Sequence, residues 1–428
     1  MGTKPEPKDE KFENVISGLE RANIKFYQFS LLVLYPRGAW KYYNYIVLFV
    51  FEILSVYFII AGVITIYLQM HNIFAVFEVA NALLISLAIF INLADFHVIS
   101  KRRLLWYRLF SCCRDDLHIY DCESVKTEMA RLRSLFRNFM EWFFIIATSG
   151  LFSIIILMFI VIPIARFIFD EQQVTKNTAF NIYLPLPWWS IFSTRTVLGF
   201  AVQYSLMLFM AFNIIVIFLV YVSSVLYFMV ELIVQFKILC FALTKHEERI
   251  EIIKGRTNDR ESLSISTKVA QNVVDQVLKE TIIHHLKIRE FFNMVQEFTS
   301  FFFALVLSAN MLVIVALSVI LTKMDSLMTM EGMKFCLILA VELLHIFCFT
   351  YCGSMLIDES SNVREMLYSV HWYSFNSNQK KILNIFQVQT ESTFMLSASG
   401  IYNINLNMFL QIMQTAYSVF NVFSNIKT

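Results

Sequence analysis

Long apolar stretches alternate with charged segments along the whole chain. A helical membrane span needs about 20 predominantly apolar residues, and seven stretches are long enough to supply one. The pattern therefore predicts seven membrane-spanning helices, which are Tyr42–Leu68, Ile73–Val98, Trp142–Ile164, Val197–Val222, Phe298–Leu321, Met333–Leu356 and Ile401–Val422.

The basic residues predict how these helices are oriented. All but six of the 35 Lys and Arg lie in Met1–Lys41, Lys101–Arg137, Lys237–Arg289 and Arg364–Lys381. Short cytoplasmic loops carry the Lys/Arg excess of membrane proteins, so we expect a cytoplasmic N-terminus. An odd number of spans then places the C-terminus outside the cell. This orientation is the reverse of a seven-helix G-protein-coupled receptor.

Composition agrees with an all-α membrane protein embedded in a lipid bilayer. Hydrophobic residues make up 57% of the 428 residues and charged residues only 16%, against about 25% charged in soluble domains. The net charge of +2 is too small to indicate a nucleic-acid partner.

Helical periodicity continues beyond the predicted spans on the basic side. From Val269 to Phe292 apolar residues recur at helical spacing opposite a charged face, which predicts an amphipathic helix running directly into the fifth span. The fourth span likewise continues to Leu243. Such extensions need packing partners, so we expect them to form a cytoplasmic anchor domain. The charged, Ser-rich stretch Thr244–Thr267 between them is the strongest candidate for disorder.

The last predicted span is unusually polar. Ser397–Gly400 precedes it and can break a helix, because glycine permits irregular backbone. Eight Asn, Gln, Ser and Thr side chains follow between Ile401 and Val422. Polar side chains inside a membrane must face protein or water. We therefore predict that this helix lines a water-filled path.

Small and aromatic residues on four spans share helix faces and predict a ligand pocket near the outer side. A mostly apolar cavity with a few polar groups suits a small volatile ligand, while ordinary helix packing is the alternative for each residue. The predicted set is Phe77, Glu78 and Asn81 of span two, Gly150, Ser153 and Leu157 of span three, Phe200, Tyr204 and Met207 of span four, and Phe335 and Leu339 of span six.

Reactive side chains do not form a pattern that indicates catalysis. The sequence has neither a nucleophile–base constellation nor a Gly-rich phosphate loop. Glu342 and His345 stand one helical turn apart, but a metal site needs three or four ligands, so a structural hydrogen bond is favoured. None of the seven cysteines falls in the large outer loop, which argues against an extracellular disulfide framework. We expect neither enzymatic activity nor a cofactor.

Several motifs resemble the insect odorant receptors. They include Leu184–Trp189 before span four, the run Ser223–Leu243 with Val234–Leu239 inside it, the helical run His284–Ile288 that leads into Phe298–Ser308, and Trp372–Tyr373. Gln379–Lys381 and the ending Gln414–Phe423 carry the most specific likeness. The resemblance extends from about Leu32 to the end of the chain.

This resemblance implies an odorant-gated, nonselective cation channel in the plasma membrane of a sensory-neuron dendrite. Family members form tetramers of a tuning receptor and a shared co-receptor, held together by cytoplasmic anchor domains, and they bind small volatile odorants. The run Ala416–Phe420 differs from the Thr-Tyr of the co-receptor and the gustatory receptors, which favours a tuning subunit. Matching the family's terminal pore motif predicts the pore residues Gln414, Tyr417, Phe420, Asn421, Phe423 and Ser424.

Two other readings stay open from the sequence. The chain could form a gustatory-type, ligand-gated homotetramer, or it could be a small-molecule transporter or a membrane enzyme with an unrecognised site. On the odorant-receptor reading the chain divides into a cytoplasmic segment (1–41), four spans with the ligand pocket (42–243), the anchor loop and helix (244–297), spans five and six with the cytoplasmic part of helix seven (298–400), and the pore-lining helix (401–428).

Overall fold

Long helices make up almost all of the computed structural model. The structure describes residues 40–68, 70, 76, 79–80, 83, 87, 100–114, 117–164, 184, 188–192, 196–258, 266–324 and 328–425. The helices are α1 (Trp40–Leu68), α2 (Ser100–Arg114), α3 (Glu123–Ile156), α4 (Val197–Thr244), α5 (His246–Asn258), α6 (Ser266–Lys323), α7 (Met330–Ser369), α8 (Ser377–Gln389) and α9 (Leu406–Asn425). A π-helical turn, Leu157–Val161, follows α3, and a short 3₁₀ turn, Trp372–Ser374, precedes α8.

The two longest helices extend well past membrane thickness. At about 1.5 Å per residue, the 58 residues of α6 span nearly three times the ~30 Å hydrocarbon core of a bilayer. Helix α4 has 48 residues and starts at Thr196, whose side chain accepts a hydrogen bond from the Gly199 N–H at 3.2 Å. The structure therefore confirms that spans four and five continue as helices beyond the predicted membrane region.

The main hydrophobic core lies in these extensions. Residues 221–244 of α4, 271–298 of α6, 356–369 of α7 and helix α8 form what we call the core bundle, in which Phe228, Phe236 and Phe291 are fully buried. The apolar part of Tyr221–Thr244 is 72% buried, whereas that of Glu123–Ile164 is only 11% buried. The segment Tyr221–Thr244 therefore packs inside the protein. The segment Glu123–Ile164 presents its apolar side chains outward, as a lipid-facing helix does.

Length and composition single out four helices in the described ranges that could cross a membrane. Helix α9 is not one of them, because amides and hydroxyls interrupt its apolar residues. The predicted second span, Ile73–Val98, lies largely outside the described residues, so the count of seven spans stays a prediction. The four helices are Glu123–Ile164, Tyr221–Thr244, Gln271–Thr322 and Gly332–Ser369, and Glu52–Leu68 and Val197–Phe212 are shorter apolar helices.

The prediction of disorder after α4 is wrong for residues 244–258, which are helical. Helix α5 has Glu247 and Glu248 in its first turn, where the helix dipole favours negative charge. Its Arg249 is 3% exposed and pairs with Glu280 of α6 at 3.1 Å. Composition alone marked this stretch as solvated, and the buried ion pair with α6 is a contact that local composition does not reveal.

The predicted cytoplasmic part of helix seven is two separate elements. Helix α8 begins with a capping box in which Asn376 and Gln379 exchange hydrogen bonds. A hairpin of β1 (Ser397–Ala398) and β2 (Tyr402–Asn403) follows, with Ser397 paired to Asn403. Its turn residues Ser399 and Gly400 have φ of 51° and 73°, as a type I′ hairpin turn requires. Helix α9 therefore begins at Leu406 rather than at Ile401.

Candidate functional site

An apolar cluster joins α1, α3, α4 and the segment that precedes α4. We call it the outer cluster. Among the predicted ligand residues, Met207 is buried in it and Phe200 and Tyr204 pack against its edge. Its buried members are Phe58, Val79, Phe159, Leu184, Trp188, Met207 and Met210.

A π-helical turn shapes the α3 side of this cluster. π-Helical turns are uncommon and often mark functional sites. Here the turn begins at the predicted ligand residue Leu157, and the Tyr204 hydroxyl donates a hydrogen bond to the backbone carbonyl of Phe159 within it. Tyr204 also stacks on Phe200 with ring centroids 5.9 Å apart. Tyr204, predicted from α4, therefore binds the backbone of this turn, while Leu157 begins the turn and is half-buried outside the outer cluster.

Polar side chains that the sequence analysis missed lie beside the outer cluster. Gln203 is fully buried, and its Oε1 accepts hydrogen bonds from the Tyr57 hydroxyl at 3.1 Å and from Ser190 Oγ at 3.0 Å. The Trp189 N–H donates to Thr65 Oγ1 at 2.7 Å. The available signal was one amide, Gln203, in an otherwise apolar stretch of α4. Its partner Tyr57 lies 146 residues away in the sequence.

The other predicted ligand residues do not join the outer cluster. Gly150 faces α7, where a Cβ would lie 3.5 Å from Val341 Cγ2. Ser153 is exposed, and its hydroxyl donates to the backbone carbonyl of Ser149. Phe335 is buried in a separate cluster and Leu339 packs at the edge of that cluster, whose buried members are Val313, Leu317, Ile320 and Phe335. Phe77, Glu78 and Asn81 lie outside the described residues.

Glu342 and His345 form a polar spot between α6 and α7. Asn310 Nδ2 donates to His345 Nδ1 at 2.9 Å, and Glu342 Oε2 lies 4.0 Å from the same nitrogen. The described residues contain no group of three or more metal-ligating side chains. The pair is therefore part of a small network that includes an amide.

Helix α9 has one buried face and one exposed face. Met408, Ile412 and Ala416 are four residues apart and pack against α6 and α7. The opposite face includes the predicted pore residues Gln414 and Tyr417, which are exposed, and Phe420, which is 38% exposed. Asn421 is half-buried. Phe423 and Ser424 lie on the helix, and their side chains are outside the described part of the structure.

The hairpin before α9 is fastened to α6 and α7. The amide of Gln296 in α6 donates to the Ser397 carbonyl at 2.8 Å and accepts from the Ser397 N–H at 2.9 Å, as a neighbouring strand would. Ser354 Oγ of α7 accepts from the Leu406 N–H, the first residue of α9, at 2.8 Å. These bonds make the hairpin a direct link between the core bundle and the last helix.

A hydrogen-bonded chain crosses the core bundle. The Tyr120 hydroxyl donates to His284 Nδ1 at 2.8 Å, His284 Nε2 donates to Gln235 Oε1 at 2.9 Å, and Gln235 Nε2 donates to Glu231 at 2.6 Å. Burial raises the pKa of Tyr120, which keeps its proton, and lowers the pKa of His284 well below its usual range. A neutral His284 with its proton on Nε2 satisfies every bond in the chain.

The fold, the outer cluster and helix α9 define a helical membrane protein with an apolar cluster and an amphipathic terminal helix. A family profile described as the 7tm Odorant receptor matches residues 76–417. The match covers most of the 428 residues, and the chain belongs to this family.

Solved structures of an insect olfactory receptor share the fold. The receptor OR5 from Machilis hrabei in complex with eugenol superposes with a TM-score of 0.71 at 15% identity, over 91% of this chain and 92% of that chain. Another structure of OR5 gives a TM-score of 0.68 at 13% identity, over 90% of each chain. At such low identity the likeness establishes the fold alone.

Curated relatives match over a shorter region. The odorant receptor coreceptor of Aedes aegypti is 29% identical over 106 residues, which is 25% of this chain and 22% of the coreceptor. The coreceptor of Drosophila melanogaster is 29% identical over 89 residues, 21% of this chain and 18% of the coreceptor. The aligned region thus spans about a fifth of the length of each coreceptor.

Proposed function

We propose that this chain is the ligand-binding subunit of a heteromeric, odorant-gated, nonselective cation channel. It assembles with the odorant co-receptor in the plasma membrane of a sensory-neuron dendrite. It acts by binding a small volatile odorant and gating a pore, without catalysis and without a cofactor.

The two faces of α9 carry this proposal. Met408, Ile412 and Ala416 form its buried apolar face, which packs against the rest of the chain. Gln414 and Tyr417 are therefore exposed on the other side of the helix. Amides in a membrane must face protein or water. A ring of such helices from several subunits gives these side chains a shared water-filled path.

The core bundle also presents surface that an assembly would cover. Tyr368 at the end of α7 is 71% exposed, and Ile385 and Val388 of α8 are each 65% exposed. Exposed apolar patches on a folded protein mark interaction sites. This surface suits the anchor contacts between subunits that family membership leads us to expect.

Helix α4 offers a route from ligand to pore. It carries Met207 in the outer cluster and Phe236 in the core bundle, and the core bundle holds the hairpin before α9 through Gln296. An odorant that binds the open state better than the closed state shifts the population toward opening. Movement of α9 would then withdraw Phe420 and end the dewetting of a hydrophobic constriction.

The test is expression in frog oocytes with and without the co-receptor. We expect odorant-evoked, nonselective cation current from the pair and none from either chain alone. Current from this chain alone would instead support the gustatory-type homotetramer. Saturable flux of a small molecule without unitary currents would refute both channel readings and support a transporter.

A further inference from the structure

Two buried hydrogen-bond donors at the outer cluster have no acceptor among the residues that the structure describes. They are the indole nitrogen Nε1 of Trp188 and the amide nitrogen Nε2 of Gln203. Trp188 is 6% exposed and Gln203 is fully buried. An unsatisfied buried donor costs roughly 1–3 kcal/mol, and native proteins rarely retain one without a reason.

Consecutive residues of α1 hold these two side chains in one place. Tyr57 donates to Gln203 Oε1, and the ring of Phe58 packs on Trp188 with centroids 5.0 Å apart. From the other side, Ser190, two residues after Trp188, also donates to Gln203 Oε1. Both donor side chains therefore contact the same pair of neighbouring residues of α1.

Hydrogen bonding fixes which end of the Gln203 amide is unpaired. Ser190 Oγ already accepts from the Phe192 N–H at 3.1 Å, so its own proton is available to Gln203 Oε1. Tyr57 supplies a second proton to the same oxygen. Both lone pairs of the Gln203 oxygen are thus occupied, and Gln203 Nε2 is the end of the amide that can still donate to a ligand.

The amide acceptor at this site is already filled, and the described members of the site carry no charge. Gln203 Oε1 receives two bonds, and the nearby Tyr204 hydroxyl donates to the Phe159 carbonyl. A ligand proton would find no free lone pair on the Gln203 oxygen, and a charged ligand would find no counter-ion among the described residues. A ligand that brings a neutral acceptor oxygen would satisfy the orphaned donors.

We infer that Trp188 and Gln203 form a recognition site for a neutral ligand with an acceptor-only oxygen, such as a ketone, an ester or an ether. This inference rests on the proposed function, because it names the ligand class of the receptor's outer cluster. Apolar side chains such as Met207 and Met210 surround the donors and take the hydrocarbon part of the ligand.

The experiment replaces the indole nitrogen without changing the shape of the side chain. Nonsense suppression in oocytes introduces a tryptophan isostere with carbon in place of nitrogen at position 188, in the chain co-expressed with the co-receptor. The same isostere at Trp189, whose side chain is half-exposed, is the matched control. The probes are methyl ketones, methyl esters, secondary alcohols and alkanes of equal chain length.

We expect wild-type responses to rank ketones and esters above the matched alcohols and alkanes. Loss of one neutral hydrogen bond of about 0.5–1.5 kcal/mol predicts a roughly twofold to twelvefold weaker ketone response at position 188. Alkane responses should not change, and the isostere at Trp189 should leave all responses within twofold. Equal effects on ketones and alkanes, or no effect on either, would overturn the inference while leaving the channel function intact.

A second measurement decides the inference if the channel reading fails. If no probe evokes current from the pair, binding of the same ketones to the purified full chain is measured by thermal stabilisation. Ketones should then stabilise the wild-type chain more than alkanes do, and Trp188→Phe should remove that difference. Equal stabilisation by ketones and alkanes would refute the site.

Discussion

The carbonyl oxygen of Ile404 occupies the space that a Cβ at Gly353 would need. Gly353 lies inside α7, and Ile404 stands just before α9, so the backbone of the last helix's entry rests directly on α7. Only glycine permits this approach. The Oγ of Ser354, the next residue of α7, accepts from the N–H of Leu406, the first residue of α9, at 2.8 Å, so two consecutive residues of α7 contact the start of α9.

We predict that Gly353→Ala weakens the docking of α9. Alanine normally stabilises a helix interior relative to glycine by about 0.5–1 kcal/mol, but here its methyl group would overlap the Ile404 carbonyl. We expect lower thermal stability and reduced odorant current at equal surface expression. Gly255→Ala in α5 is the control, because a Cβ there meets no atom within 4 Å. A neutral Gly353→Ala variant would show that α9 is not held at this contact.

Removing the Gln296 side-chain amide should release the hairpin. Gln296→Leu leaves the N–H and C=O of the half-buried Ser397 without their partner, at a cost of about 0.5–1.5 kcal/mol for each hydrogen bond lost. Hydrogen exchange should then speed up in residues 396–404, and the odorant concentration for half-maximal current should change. Gln276→Leu on the same helix is the control, since Gln276 is exposed and its amide donates to the Glu280 carboxylate of the same helix. Unchanged exchange in the hairpin would contradict this link.

Acid should destabilise the core bundle below neutral pH. Burial, reinforced by the Arg249 guanidinium, lowers the pKa of His246 from 6.5 to about 4, and burial with Arg289 does the same for His285. The unfolded chain therefore binds more protons than the folded chain between pH 6.5 and about 4. Stability is full above pH 6.5 and falls as the pH drops through this window.

The measurement is the thermal midpoint of the purified chain as a function of pH. His246→Phe should flatten the fall between pH 6.5 and about 4, because it removes the titrating ring. The replacement breaks no hydrogen bond to the described residues, since neither ring nitrogen of His246 has a partner among them. An identical slope in His246→Phe would rule out His246 as a source of the acid sensitivity.

A positive charge on the pore face of α9 should change permeation. We predict that Asn421→Lys reduces cation current or alters ionic selectivity in the co-expressed pair, because a fixed charge in the path repels cations. Asn403→Lys on the exposed hairpin is the matched control. Reversal potentials in mixed-ion solutions check the effect, and surface labelling checks expression. Unaltered permeation in Asn421→Lys would remove that residue from the pore.

Local patterns predicted the continuous parts of this fold. The apolar repeat through Val273, Val277 and Phe292 predicts the extension of α6, and Ser397–Gly400 marks the break before α9. The hidden parts depend on contacts between distant residues. The ion pair between Arg249 and Glu280 packs the charged helix α5 against α6. Composition alone predicts such a charged stretch to be solvated, because it does not reveal the partner on α6.

The candidate site shows the same division. Phe200, Tyr204 and Met207 follow from helical spacing on α4, and the structure places them at one cluster. Gln203 lies between them in sequence, yet its importance depends on Tyr57 and on Ser190. Phe335 shares their apolar character and falls in a separate cluster, because spacing assigns a helix face and does not say which helix covers it.

Cysteine accessibility along α9 tests the central claim, that this helix lines an odorant-gated pore, most directly. Gln414→Cys and Tyr417→Cys lie on the exposed face, and Ile412→Cys on the buried face is the control. Each variant is co-expressed with the co-receptor, and odorant-evoked current is recorded before and after a charged methanethiosulfonate reagent. We predict block at positions 414 and 417 and none at 412 or in the wild type. Currents that persist at 414 and 417 after confirmed labelling would contradict the account.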